Sequence, residues 1–163
     1  MKRADVLKAK NVFSGYEKKI IVDGIDIEIP KNKISVIIGA NACGKSTLLK
    51  TLARLIQPTS GEIVLDDKKI SEIPPKQLAK VLGLLPQSPV VPEGITVGDL
   101  VGRGRFPYQT FFKGMGKKDY EAIDEALDIM GISDLANRCV DELSGGQRQR
   151  VWIAMALAQQ TDI

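Results

Sequence analysis

Residues 39–47 read GANACGKST, set between the aliphatic run ISVII (34–38) and the amphipathic stretch STLLKTLARLI (46–56). Gly39, Gly44, Lys45 and Ser46 satisfy the pattern GxxxxGK[ST] in the context it needs, a buried strand before and a helix after. Main-chain N–H groups can converge on a phosphate only through tight turns free of side chains, which is the work of the glycines. Lys45 reaches the β- and γ-phosphates, and the Ser46 hydroxyl suits Mg²⁺. The helix that follows adds its own unpaired N–H groups and partial positive charge. A plain glycine-rich connector would not require both the lysine and the hydroxyl at these places.

Working outward, IIVDGIDIEI (20–29) alternates apolar and polar residues, predicting a half-buried strand closed by Pro30 and the turn residues Lys31 and Asn32. ISVII is nearly all apolar and β-branched, as in a strand covered on both faces. Leu48, Leu49, Leu52, Leu55 and Ile56 recur at helical spacing until Pro58 and Gly61 end the run. EIVLDDKKI (62–70) reads as a short strand and turn, IPPKQLAK (73–80) as a helix entered through proline, and VLGLLPQ (81–87) as a strand and its exit. A short helix is predicted near 96–101. KKDYEAIDEALDIM (117–130) places Tyr120, Ile123, Leu127 and Met130 on one helical face bounded by Gly131, and SGGQRQRVWIAMALAQQ (144–160) is a glycine turn entering a mostly apolar helix. The order predicts an α/β fold of the P-loop type, with a largely parallel central sheet and a small antiparallel sheet near the N-terminus.

The bulk composition limits the partners. The 163 residues are 44% hydrophobic and 26% charged, with a net charge of +3. That balance suits an anionic ligand but mixes both signs too evenly for a nucleic-acid surface. No stretch approaches the ~20 apolar residues of a membrane span, and the basic N-terminus lacks the apolar core of a secretory signal. Histidine is absent, which removes the commonest zinc ligand and the usual neutral-pH base. Cys43 and Cys139 have no CxxC spacing and read as free thiols.

A second motif separates one phosphate-binding machine from another. Residues 143–150 read LSGGQRQR and lead into VWIAMALA. Ser144 can cap that helix, while Gly145 and Gly146 leave N–H groups bare at its N-terminus, a second anion site. With GxxxxGKS, this LSGGQ resembles the nucleotide-binding subunits of ABC transporters over the whole chain. The resemblance implies ATP and Mg²⁺ as cofactors, bound by Gly39, Asn41, Ala42, Cys43, Gly44, Lys45, Ser46 and Thr47. It implies that two such subunits pair head to tail, so that Ser144, Gly145, Gly146 and Gln147 of one cap the γ-phosphate held by the other. Tyr16, in SGYEKKII, matches the aromatic residue that stacks on adenine. Gln87, in LLPQSP, matches the glutamine that positions Mg²⁺ and water, so Lys45 and Gln87 carry the catalytic assignment and Ser46 and Gln87 the metal. Asp141, Glu142, Arg148 and Arg150 read as solvated or packing charges.

The resemblance divides the chain into a nucleotide-binding core (1–87), a helical subdomain (88–143) and a signature helix returning to the core (144–163). Two transmembrane permease subunits and, indirectly, an extracytoplasmic substrate-binding protein are the implied partners, at the cytoplasmic face of the cell membrane. VPEGITVGDLVGRGRFPYQ (91–109) and NACGKST (41–47) are similar to the importers of iron siderophores, haem and vitamin B12, which points to a ferric-siderophore importer ATPase, with haem or cobalamin import as the alternative. Two local departures stand out: Ala40 occupies a place where the family usually has proline, and Ala42 one where it usually has glycine. The family's Asp-Glu strand and histidine would follow Ile163, so the C-terminal part of the core is expected to be missing. As written, the chain is expected to bind ATP without turning it over and to be poorly stable alone, which keeps open a non-catalytic regulatory module. A DNA-repair ATPase is disfavoured, since no heptad run lies between Gln87 and the signature.

Overall fold

The computed structural model describes residues 6–17, 19–30, 33–87, 91–110 and 114–163. Its contacts divide the chain into two compact units, residues 1–82 with 162–163, and residues 83–161.

The first unit is built on an antiparallel sheet in the order β2-β1-β3-β4, from β1 (Val6–Tyr16), β2 (Lys19–Pro30), β3 (Ser60–Leu65) and β4 (Lys68–Lys69). The inward face of β1 changes parity along its length. Leu7 and Ala9 are buried, then Val12 and Ser14. The shift occurs at Asn11, which takes φ 46° beside an irregularity in the pairing with both neighbours. One extra residue in a strand turns every later side chain to the other face. Gly61 is needed opposite this bulge, because a Cβ there would lie 2.1 Å from the Asn11 carbonyl oxygen. Asp66 and Asp67, both at positive φ, join β3 to β4 in a tight hairpin turn.

Helix α1 (Lys45–Leu52) lays Leu48 and Leu52 into a core with Leu7, Ala9, Val12, Val22, Ile63 and Leu65. The helix predicted to run to Ile56 stops at Leu52. Arg54 turns left-handed at φ 59°, and the Leu55 and Arg54 amides donate back to the carbonyls of Lys50 and Thr51 at 2.8 and 3.0 Å. This paired closure satisfies the orphan carbonyls of the last turn. The Arg54 guanidinium offsets the strained backbone by donating through Nη1 to the carbonyls of Ile70 (2.6 Å) and Ile73 (2.5 Å). A short helix α2 (Pro75–Leu78) is entered through proline, as predicted.

Residues 34–38 differ from expectation. They form no strand, and Ile34, Val36 and Ile38 are 95%, 73% and 89% exposed. Residues 81–87, read as a strand and its exit, likewise belong to no strand. The physical reason is the same for both: an apolar run can take an extended backbone, but a strand exists only where a neighbour completes its hydrogen bonds. Among the described residues no segment does, and every ladder there is antiparallel. The predicted turn at Lys31 and Asn32 lies outside the described residues.

The second unit packs α3 (Val97–Gly102), α4 (Lys117–Met130) and α5 (Gly145–Ala158) around Val97, Leu100, Val101, Ile123, Leu127, Val151 and Ala154. Thr96 caps α3 by accepting from the Asp99 amide, and Gly131 ends α4 at φ 62°. The buried face of α4 is Ala122, Ile123, Ala126 and Leu127; Tyr120, assigned to it from spacing, is 55% exposed. Gly104 lets the 3₁₀ turn at 103–108 touch α5, since a Cβ there would lie 2.4 Å from the Met155 carbonyl oxygen. Among the described residues, no helix is long and apolar enough to cross a membrane.

Candidate nucleotide site

In the first unit, residues 39–47 bend from the extended segment into α1. Two consecutive demands shape the bend. Ala42 takes φ 63° and Gly44 φ 97°, both left-handed. Gly44 is required twice over, because a Cβ would also come within 2.9 Å of Ile21 Cγ2. Gly39 makes room for a neighbour: a Cβ there would lie 2.7 Å from Cys43 Sγ. Ala42 carries a left-handed cost of about 1–2 kcal/mol.

Lys45 opens α1, and its side chain curls back over the loop. Nζ donates to the carbonyl oxygens of Gly39 at 2.9 Å and Ala40 at 2.6 Å and lies 3.7 Å from Cys43 Sγ. An ammonium is therefore held over the turn by main-chain oxygens. No side chain caps the N-terminus of α1, and its first turn contains no acidic residue. The positive end of the helix is left uncompensated, which favours an anion beside Lys45. Ser46 and Thr47 lie in that first turn, Thr47 buried and Ser46 exposed. Asn41 and Cys43 are exposed, and Cys43 is a free thiol, as is Cys139. Tyr16 ends β1 opposite Lys19 and is 47% exposed, leaving much of its ring uncovered.

In the second unit, Ser144 and Gln147 form a reciprocal cap on α5. The Gln147 amide donates to Ser144 Oγ at 3.3 Å, and the Ser144 amide donates to Gln147 Oε1 at 3.0 Å. A Cβ built at Gly145 or Gly146 would meet nothing within 4 Å among the described residues, so packing there does not account for either glycine. Arg148 secures the entry by donating from Nε to the Leu143 carbonyl (3.1 Å) and from Nη2 to that of Asp141 (3.0 Å). Read from sequence as a packing or salt-bridge residue, it is a main-chain clamp. Glu142 pairs with Arg138 at 3.5 Å, and Asp141 accepts from the Gly94 amide at 3.3 Å. Gln87 is exposed at the end of the unpaired stretch 82–87.

Sequence reading missed one charged residue altogether. Arg105, inside the glycine-punctuated GRGRFPY, is only 4% exposed. It donates to Asp119 Oδ1 (2.9 Å), the Ala158 carbonyl (2.7 Å) and Gln160 Oε1 (3.0 Å), with its guanidinium carbon 3.9 Å from the centre of the Tyr108 ring. The only available signal was an arginine between a glycine and an aromatic residue, Gly104 and Phe106, which is no signal by itself.

Comparison with known proteins places these features in a family. The profile described as ABC transporter matches residues 22–163. The probable siderophore transport system ATP-binding protein YusV of Bacillus subtilis (strain 168) is 52% identical over 157 residues, covering 96% of this chain and 57% of its own length. The petrobactin import ATP-binding protein FpuD of Bacillus anthracis is 51% identical, with coverages of 96% and 58%. Among solved structures, the dimeric structure of MJ0796, a bacterial ABC transporter cassette, superposes with a TM-score of 0.79 at 28% identity, covering 95% of this chain and 70% of that one. The chain thus spans a little under three-fifths of the length of the curated relatives it matches.

Proposed function

Because this chain belongs to the ABC transporter family, whose cassettes bind nucleotide, we propose that it is the ATP-binding part of an importer for a ferric siderophore or related iron chelate. The observation that carries the reading is the loop at 39–47: an ammonium held over a left-handed turn that opens into an uncapped helix N-terminus. An α-helix start with no acidic residue and a lysine folded over it is arranged for a polyphosphate.

In this reading Gly39, Asn41, Ala42, Cys43, Gly44, Lys45, Ser46 and Thr47 surround the phosphates, and Tyr16 stacks on the base. Ser46 would hold Mg²⁺, a role the family resemblance also gives to Gln87, and the ion would supply positive charge against the phosphates. Lys45 stabilises the same charge. Ser144, Gly145, Gly146 and Gln147 cap the γ-phosphate of a second nucleotide-binding subunit, and the bare Gly145–Gly146 surface supports this because nothing among the described residues packs against it. That a related cassette is dimeric supports pairing of two subunits. Two permease subunits hold the pair at the cytoplasmic face of the membrane, and an extracytoplasmic binding protein delivers cargo; no nucleic acid takes part. ATP hydrolysis to ADP and phosphate by the full-length protein drives the cycle. The cargo follows from the relatives, whose names specify siderophore and petrobactin transport.

The test is uptake of labelled ferric siderophores in cells lacking the gene. Uptake should fall, return with the wild-type gene, and fail to return with Lys45→Ala. Undiminished uptake across a panel of iron chelates in the deletion strain would overturn the cargo assignment.

A further inference from the structure

Ser14 and Thr51 are both fully buried, yet both are polar. Their hydroxyl oxygens lie 2.8 Å apart, joining β1 to α1 across the core of the first unit. The direction of this bond follows from its neighbour. Thr51 Oγ1 donates to the Thr47 carbonyl oxygen at 2.7 Å. A hydroxyl has one hydrogen, so Thr51 can only accept from Ser14. The chain therefore runs Ser14 O–H to Thr51 O–H to Thr47 C=O, from a strand into the first turn of the phosphate-loop helix.

Its two ends are close to two different parts of the candidate site. Thr47 follows Ser46 directly, inside the loop motif. At the other end, Ser14 precedes Tyr16 by two residues, and the geometry between them is constrained. The pairing of β1 with β2 is irregular on both sides of Ser14, and a Cβ at Gly15 would lie 1.9 Å from the Lys19 carbonyl oxygen. Bulges re-aim side chains, and a glycine pressed against the next strand leaves the backbone little freedom. Ser14 is thus the internal anchor from which Tyr16 is presented.

We infer that the Ser14–Thr51 hydroxyl pair sets the spacing between Tyr16 and the phosphate loop, making both positioning residues for simultaneous grip of base and triphosphate. This rests on the reading of Tyr16 as the base contact. A pair of apolar residues would hold strand and helix together equally well; hydroxyls add direction, since the bond is made only at one distance and angle.

The experiment compares affinities for ATP and for inorganic tripolyphosphate, which has the charge but no base, in the full-length protein with Mg²⁺ present. The variant is Ser14→Ala with Thr51→Val, which removes both hydroxyls and so strands no buried donor. ATP affinity should fall by about three- to tenfold, while tripolyphosphate affinity changes less than about twofold, within the scatter of independent sites. Thr51→Ser, which retains the hydroxyl, should keep the wild-type ratio. Equal weakening of both ligands, or no change in either, would overturn the inference and leave a simple core contact. Tyr16→Ala separates the two levels: if it does not lower the ratio, the base contact and the inference fall together. If it lowers the ratio and the double variant does not, the inference falls alone.

Discussion

Arg105 and Asp119 form an ion pair whose side chains are 5% and 14% exposed, with Nε 2.9 Å from Oδ1. The pair closes the second unit from three directions. Arg105 also reaches the end of α5 at Ala158, and Asp119 Oδ2 accepts from the Gly116 amide at the start of α4. One guanidinium thus ties the 103–108 turn, the N-terminus of α4 and the C-terminus of α5. Both Nε and Nη1 of the desolvated guanidinium find acceptors, and a buried pair holds a fold together only when further hydrogen bonds satisfy it in this way.

Removing one partner should therefore be severe. Arg105→Ala removes the guanidinium that pairs with the part-buried Asp119 carboxylate and strips the Ala158 carbonyl of a donor. A loss of about 3–5 kcal/mol is expected, read as a fall in the denaturant midpoint. Arg105→Lys should recover only part of it, because an ammonium cannot reproduce the planar fork. A midpoint unchanged in Arg105→Ala would show that the pair contributes nothing.

The left-handed alanine makes the opposite prediction. Ala42→Gly removes a left-handed cost of about 1–2 kcal/mol but adds about 0.4–1 kcal/mol of unfolded-chain entropy. The net effect should be a stabilisation of about 0.5–1 kcal/mol, measured as a raised denaturant midpoint. Ala42→Val, β-branched at the same φ, should lower it.

Lys45 should be felt in binding and hardly in stability, because it is held over the loop by carbonyls that water can serve equally well. Lys45→Ala should weaken ATP by about ten- to a hundredfold, the worth of a hydrogen bond to a charged group. Isothermal titration of wild type and variant measures it. Equal affinities would remove Lys45 from the phosphate site.

The two signature glycines separate folding from assembly. Gly145→Ala meets nothing among the described residues and adds a better helix former to the first turn of α5, so stability should hold or rise by up to about 1 kcal/mol. ATP-driven pairing of subunits should nevertheless fail, since a methyl group would then stand where the second nucleotide has to approach. Sedimentation with and without ATP tests it, and pairing at wild-type strength would disprove the γ-phosphate cap. Ser144→Ala, by contrast, should cost about 1 kcal/mol of stability through loss of the helix cap.

The features legible in the sequence are those whose causes lie within a few residues of one another. The loop at 39–47 is encoded by Gly39, which makes room for Cys43, by Gly44, which takes the left-handed backbone, and by a lysine adjacent to the turn. The cap of Ser144 on Gln147 spans three residues, and the hairpin at Asp66–Asp67 is complete in itself. The left-handed turn at Ala42 was hinted at only by the resemblance, whose members usually have glycine there, since the motif itself leaves the position free. Tertiary structure decided everything that depends on distant partners. Arg105 finds its acceptors 14, 53 and 55 residues away, and Ser14 meets Thr51 37 residues away. The failure of ISVII to become a strand belongs to the same class. Its side chains specify an extended backbone, but hydrogen bonds between strands need a second segment alongside, and no pattern within five residues can say whether one is there.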